Sequence, residues 1–247
     1  DCGAAQRSHR RIMVKLTSRL RAAADLCRRG VTVCDVGTDH ALLACYLAQT
    51  GAKSVIASDV REGPLSAARR TIAEQGVTNV AAVLSDGLEK IDYADDVVIC
   101  GMGGELIMKI ISGCRFLSED TRFILQPMTS AEDLRELLYL NGFEIIEERA
   151  AREGDRFYTI MLVKYTGVKR QIDDVFMYCG KITDADMLRR ISTKLRRIAD
   201  GQQKAAQERP GQTDESNMKT AENTRSLADR IDAHAREIYI DRGMKWE

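Results

Sequence analysis

The run Asp35-Val36-Gly37-Thr38-Asp39-His40 joins a β-branched stretch that begins at Val31 to a helical pattern that begins near Ala41. Gly37 lets the backbone come close to a ligand, and the first turn of the helix offers N–H groups without partners. A pyrophosphate-binding loop would read G-x-G-x-x-G. Asp39 stands where the second of those glycines belongs, and its carboxylate would repel a pyrophosphate. The ligand is therefore expected to lack phosphates. S-adenosylmethionine meets that condition, because its sulfonium and ammonium are cationic and can face Asp35 or Asp39, with Thr38 and His40 in the same loop. The plain structural alternative makes Asp39 the N-cap of the next helix.

Three further strand ends carry polar or glycine-rich groups. Asp59 lies 22 residues after Gly37, where an acid can accept hydrogen bonds from both ribose hydroxyls, each contributing roughly 1.5–3 kcal/mol. A solvated strand-end aspartate is the alternative. In Ser85-Asp86-Gly87-Leu88, Asp86 could take the adenine amino group of the cofactor and Leu88 could cover the ring, or the segment is a plain Asp-Gly turn. In Cys100-Gly101-Met102-Gly103-Gly104, Gly101 would border the cofactor. Met102, Gly103 and Gly104 would floor a large planar substrate. An Asn or Asp followed by two prolines and an aromatic, the usual mark of amino-group methylation, is absent there. Gln126, before Pro127, could offer its amide to a substrate base or merely cap its strand.

These loops need a scaffold, and the alternation of elements supplies one. Strand patterns at Val31–Asp35, Ser54–Asp59, Val80–Ser85, Asp96–Cys100 and Arg122–Gln126 are separated by helical patterns at Ala41–Gln49, Leu65–Gln75, Gly104–Ser112 and Ala131–Asn141, as in a parallel sheet with right-handed crossovers. Ligands of such sheets sit at the carboxyl ends of the strands. Two last strands, near Phe143–Ala150 and Phe157–Lys164, have only the turn Arg152-Glu153-Gly154-Asp155 between them and should be antiparallel. The predicted fold is α/β: a Rossmann-like class I methyltransferase domain, mostly parallel and seven-stranded with an antiparallel last strand, over residues 13–166. Residues 167–247 are predicted as a C-terminal α-helical hairpin, coiled-coil-like. Met187, Ile191, Leu195 and Ile198 recur at helical spacing there, as do Leu227, Ile231 and Ile238, and Glu208–Asp214 supplies a Pro-Gly turn.

Composition narrows the remaining possibilities. The chain has 247 residues, 44% hydrophobic, enough for one main domain and an appendage. Its seven cysteines form no C-x-x-C pair and its three histidines stand apart, so a reduced cytoplasmic protein without a metal is expected. Apolar runs fall short of the roughly 20 residues of a membrane span, so no membrane association is expected. Residues 1–12 read as a cloning remnant or an upstream extension. A net charge of zero conceals eight cations against two acids in residues 1–30, thirteen against twenty-one in 31–166, and sixteen against fourteen beyond. The basic run with Arg189, Arg190, Arg196 and Arg197 could grip a polyanion, or be a solvated helix face.

Taken in order, Leu16–Leu20, Asp35–Ala41, Gly63-Pro64 after Asp59, Asp86–Leu88, Gly101–Gly104 and Leu125–Pro127 resemble the bacterial tRNA (adenine-22, N1)-methyltransferase family, from about Leu16 to Lys181. The family often has Ser-Asp-His-Ala-Tyr-Leu-Pro where this chain has Thr38 to Ala44, and glutamate at Asp59. The resemblance implies transfer of a methyl group from S-adenosylmethionine to N1 of adenine 22 in tRNA, leaving S-adenosylhomocysteine, by a monomer or weak dimer. It places Arg19 at the cofactor carboxylate or substrate, and Asp39 nearest the transferred methyl. The four arginines would hold tRNA. Two other readings stand beside it: a methyltransferase of another substrate, and a non-catalytic RNA-binding module of the same fold. A nicotinamide dehydrogenase lacks its phosphate-binding glycines.

Overall fold

The computed structural model describes residues 13–207 and 215–241, so residues 1–12 and the expected turn at Glu208–Asp214 lie outside the described residues. The elements run α1 (Ser18–Ala24), β1 (Thr32–Val36), α2 (Leu42–Gln49), β2 (Ser54–Asp59), α3 (Glu62–Glu74), β3 (Val80–Leu84), β4 (Asp96–Gly103) and α4 (Gly104–Ser112). They continue with β5 (Arg122–Thr129), α5 (Ala131–Leu140), β6 (Phe143–Glu153), β7 (Arg156–Tyr165), α6 (Asp174–Cys179), α7 (Ala185–Gln207) and α8 (Glu215–Asp241). The seven strands are ordered β3-β2-β1-β4-β5-β7-β6. β1 pairs parallel with β2 and β4, β2 parallel with β3, and β6 antiparallel with β7. The Rossmann-like methyltransferase sheet and the C-terminal helix pair are as expected.

Two compact units divide the chain, residues 1–100 with 109–125, and residues 101–108 with 126–247. In the first, Val33, Cys34 and Val36 of β1 and Val97, Val98 and Ile99 of β4 are buried without interruption, the pattern of a strand covered on both faces. Asp96 opens β4 fully buried, held by the Arg28 backbone N–H at 2.7 Å and by Arg28 Nε and Nη2 at 2.9 and 2.7 Å.

In the second unit, the β6–β7 ladder pairs Glu153 with Arg156. The turn is therefore the two residues Gly154-Asp155 rather than four, with Gly154 at a positive φ suited to a tight hairpin. α6 was not anticipated. Asp173 caps it by accepting the Phe176 N–H at 2.8 Å and Gly180 ends it, leaving too few residues for a helical period. Met187, Leu188 and Leu195 of α7 bury against Ala228, Ile231 and Ala235 of α8. Ile198 departs from the expectation, 41% exposed on another side of α7.

Strand ends differ from the sequence reading where chemistry was expected. β4 runs on through Gly103, and β5 through Pro127 to Thr129. Glycine and proline disfavour strands, but the Gln126 side chain accepts the Gly101 N–H at 3.1 Å and secures the two extensions. α2 starts at Leu42, because Ala41 has φ +54°.

Candidate active site

Gly37 has φ +77°, and the N–H groups of Gly37 and Thr38 both donate to the Ser58 carbonyl, at 2.8 and 2.9 Å. The end of β1 is thereby folded over the end of β2, and Asp35 is left 5% exposed beneath the turn. Its carboxylate accepts the Thr38 hydroxyl at 2.7 Å and has no cation in ion-pair range among the described residues. Burial pushes its pKa up to about 6, against the smaller opposing pull of that hydroxyl. Asp39 and His40 face outward, with side chains 82% and 58% exposed and His40 Nε2 at 3.6 Å from Asp39 Oδ2. Asp39 is not the N-cap of α2, since Ala41 holds that place without any side-chain cap. Leu42, where the family often has tyrosine, is 42% exposed.

Asp59, at the end of β2, has a side chain only 10% exposed. Its Oδ1 accepts the Arg61 N–H at 2.9 Å, and Oδ2 has no protein donor among the described residues. The next loop is set by Ser85, whose hydroxyl donates to the Gly87 carbonyl at 3.1 Å and accepts the Lys90 N–H at 3.1 Å. Gly87, at φ +53°, packs so that a Cβ would meet Ile110 at 3.2 Å. Asp86 is exposed and Leu88 buried. Arg19 on α1 reaches the same region: it and Asp35 act in opposite senses on the thiol of Cys100, whose pKa burial raises. Ser58 and Cys100 were missed by the sequence reading, because one contributes a carbonyl and the other a buried neighbour.

The β4 and β5 extensions belong to the second unit. Gly101 is exposed at φ +83° and Met102 is half-buried. Gly104, expected to help floor a substrate, is buried, and a Cβ there would lie 2.5 Å from the Ser130 carbonyl. Gly103 packs similarly, with Thr129 Oγ1 at 3.3 Å from its would-be Cβ. These glycines let α4 approach the β5–α5 corner. Gln126, for which a substrate amide and a strand cap were both open, is fully buried; it donates to the Pro127 carbonyl at 2.8 Å and accepts from Gly101, contacts of the second kind. Its role is to hold Gly101 in place.

Of the four arginines, Arg189, Arg190 and Arg197 line a cavity beside Phe157. Arg196 instead turns to α8, where it pairs with Asp229 at 2.8 Å and with Asp232. Two carboxylates neutralise it, which suits a tie between helices and not a grip on a polyanion. Among the described residues no group of three metal-ligating side chains exists and no helix is long and apolar enough to cross a membrane.

S-adenosylmethionine fits the residues present. Asp35 is a buried carboxylate with no cation beside it among the described residues, Gly37 leaves backbone room beside it, and Asp59 keeps one shielded oxygen for a hydroxyl donor. Comparisons with known proteins agree. A family profile described as methyltransferase domain matches residues 16–161. The tRNA (adenine(22)-N(1))-methyltransferase of Bacillus subtilis is 32% identical over 174 residues, 68% of this chain and 73% of that protein. The crystal structure of the B. subtilis M1A22 tRNA methyltransferase TrmK superposes with a TM-score of 0.71 at 26% identity, covering 89% of this chain and 99% of that one. A Streptococcus pneumoniae protein, solved as a candidate tRNA (m1A22) methyltransferase in complex with S-adenosyl-L-methionine, also gives 0.71 at 26% identity, over 88% and 100%. With most of both chains aligned, the chain belongs to the methyltransferase-domain family and, within it, to the tRNA (adenine(22)-N(1))-methyltransferases.

Proposed function

We propose that the protein transfers a methyl group from S-adenosylmethionine to N1 of adenine 22 in tRNA, with Asp35, Gly37, Thr38, His40, Asp59, Asp86, Gly87, Leu88, Gly101 and Arg19 serving the cofactor and Asp39 the reaction. The observation that carries the reading is Asp35, a carboxylate buried under a glycine turn with no counter-ion among the described residues. Burying a charge unpaired is costly, and a cationic ligand removes the cost. A phosphate-bearing cofactor would add to it. The adenine target comes from the family, and tRNA as substrate makes the cytoplasm the place of action.

S-adenosylmethionine, when bound, supplies an activated methyl group. Adenine N1 has an in-plane lone pair, so the protein removes no proton before transfer, and positive charge passes to the base as the methyl arrives. Asp39 is suited to face that charge. Its exposure means that water screens it until the substrate covers it, after which the same carboxylate interacts several-fold more strongly. Alignment of base and methyl contributes on the order of 7–11 kcal/mol, and it requires the base to be unpaired, since N1 lies on the Watson–Crick edge.

The test is nucleoside mass analysis of unmodified tRNA incubated with the protein and S-adenosylmethionine, which should reveal 1-methyladenosine lost on mutating tRNA position 22. Asp39→Ala should lower kcat by about 10²–10³ with cofactor affinity kept in calorimetry. Full activity of that variant removes Asp39 from the reaction; methylation of another position, or of protein only, overturns the assignment of substrate.

A further inference from the structure

The helix that carries Arg19, α1, has seven residues and is about 10 Å long, too short to keep a place of its own in water. Its position is set by what ties it down. Arg19 and Ala23 lie one turn apart on a single face, Ala23 is fully buried, and Leu26 follows it into the core. Arg21 turns the other way, with its guanidinium carbon 5.1 Å from the centroid of the Tyr46 ring on α2. The Val14 N–H, just before the helix, donates to Gln49 Oε1 at 3.0 Å. These contacts fix the side on which α1 lies.

A buried charge cluster holds its other end. Asp96 is fully buried, and Arg28 alone satisfies both of its oxygens: the backbone N–H donates to Oδ2 at 2.7 Å, and Nε and Nη2 donate to Oδ1 at 2.9 and 2.7 Å. Arg28 Nη2 also donates to the Asp95 carbonyl at 2.8 Å, so neither its backbone nor its side chain is left to shift. Arg122, at the start of β5, lies 3.8 Å from the same carboxylate and donates through Nη2 to the Leu26 carbonyl at 2.5 Å. Its buried Nε has no hydrogen-bond partner among the described residues, and Asp96 is the carboxylate beside it. Buried ion pairs add little stability over packed apolar side chains, but they fix geometry.

β4 joins this cluster to the cofactor loop. Asp96 and Cys100 are four residues apart, about 13 Å of strand, and Val36 pairs with Ile99, so Cys100 follows beside the Gly37 turn. Burial, and then the charge of Asp96, raises the pKa of the Cys27 thiol just past the end of α1. Burial raises that of Cys100 as well, where Asp35 and Arg19 act in opposite senses. α1 therefore has its last turn near one end of this stretch and Arg19 near the other, all within the first unit.

We infer that Asp96 is a positioning residue for cofactor binding: by fixing Arg28 and, with Arg122, the Leu26 carbonyl, it sets where α1 presents the Arg19 guanidinium to the carboxylate of the cofactor's amino-acid end. The inference rests on the reading above, in which Arg19 serves S-adenosylmethionine. Asp96 itself lies at the end of β4 away from the cofactor loop, so its effect passes through the helix. Guanidinium–carboxylate pairing is directional, and a small slide of α1 is enough to spoil it.

The experiment compares two ligands in calorimetry. S-adenosylhomocysteine keeps the amino-acid carboxylate and 5′-methylthioadenosine lacks it, so the ratio of their dissociation constants isolates that group. Asp96→Asn keeps the size of the side chain but turns an amide toward Arg28, and it should weaken S-adenosylhomocysteine roughly tenfold while leaving 5′-methylthioadenosine within about twofold of wild type. In methyl transfer the loss should fall on KM for S-adenosylmethionine, with kcat at saturating cofactor kept. In an Arg19→Gln background, Asp96→Asn should change neither dissociation constant further. Equal weakening of both ligands, or a tenfold loss that persists without Arg19, makes Asp96 a general prop of the fold and overturns the inference. So does wild-type affinity for both ligands. Should Asp96→Asn melt early, Arg122→Gln leaves the Arg28 bonds in place and cuts the tie to Leu26; it carries the same selective loss, at about threefold, and the same refutations. A wild-type protein that shows this ligand preference yet leaves adenine 22 unmethylated overturns the proposed substrate and leaves the role of Asp96 standing. One that binds S-adenosylhomocysteine no more tightly than 5′-methylthioadenosine removes Arg19 from the cofactor, and the inference with it.

Discussion

Asp35 is a carboxylate folded where its charge is disfavoured, and its response to pH follows. Burial raises its folded pKa to about 6 from an ordinary value of 3.8. The protonated form therefore stabilises the ligand-free fold below about pH 4, and that contribution is lost as pH rises through about 6. Asp35→Asn should accordingly raise the melting temperature of the ligand-free protein at pH 7.5 while abolishing cofactor binding. In wild type, binding a cation below pH 6 must expel a proton, so affinity should fall by up to about tenfold per pH unit there. Calorimetry in buffers of different ionisation enthalpy reads that proton directly, and an affinity flat from pH 7 to 5 would rule the coupling out. The loop from Asp35 to His40 was legible in the sequence because its glycine, its acids and the strand before it are contiguous. Gln126, Gly104 and Arg196 were not, because the Gly101 N–H, the Ser130 carbonyl and two aspartates of α8 settle their roles, and those partners are remote along the chain.

At the scale of elements, α5, β6, β7 and α6 are joined by one buried ion pair. Arg135 and Glu148, with side chains 2% and 0% exposed, meet at 3.0 Å. Arg135 also donates to the carbonyls of Met177 and Tyr178, while Glu148 accepts the Thr159 hydroxyl and the Lys181 N–H. Gly180 passes directly over the pair at φ +56°, where a Cβ would lie 1.7 Å from Glu148 Oε2. Gly180→Ala should therefore cost about 3 kcal/mol or more, since it strains a left-handed residue and displaces a buried carboxylate. Denaturant unfolding would read the loss, and Gly154→Ala at the exposed hairpin tip should cost less. A Gly180→Ala protein as stable as wild type would mean the pair has room to move. The strand and helix order was legible from alternating apolar patterns, as were most boundaries to within a few residues. The pair itself was not, since arginine and glutamate in amphipathic segments read as surface charge until their neighbours are known.

For the whole molecule, the two compact units divide the chain within β4 between Cys100 and Gly101 and within β5 between Leu125 and Gln126. Residues 101–108, a short insert between two stretches of the first unit, belong to the second. A fragment of residues 1–125 alone thus lacks the partners of Gly101 and Gly104, both contributed by the Gln126–Ser130 segment. It should show no cooperative thermal transition by circular dichroism, unlike the full chain. A sharp transition in the fragment would mean the first unit folds by itself. The same interleaving bears on inheritance. One recombination breakpoint can hand either unit to another protein only by carrying a stretch of the other with it, because each is encoded in two separate stretches. A clean exchange of either unit therefore takes more than one crossover, at the ends of residues 101–108 as well as after residue 125.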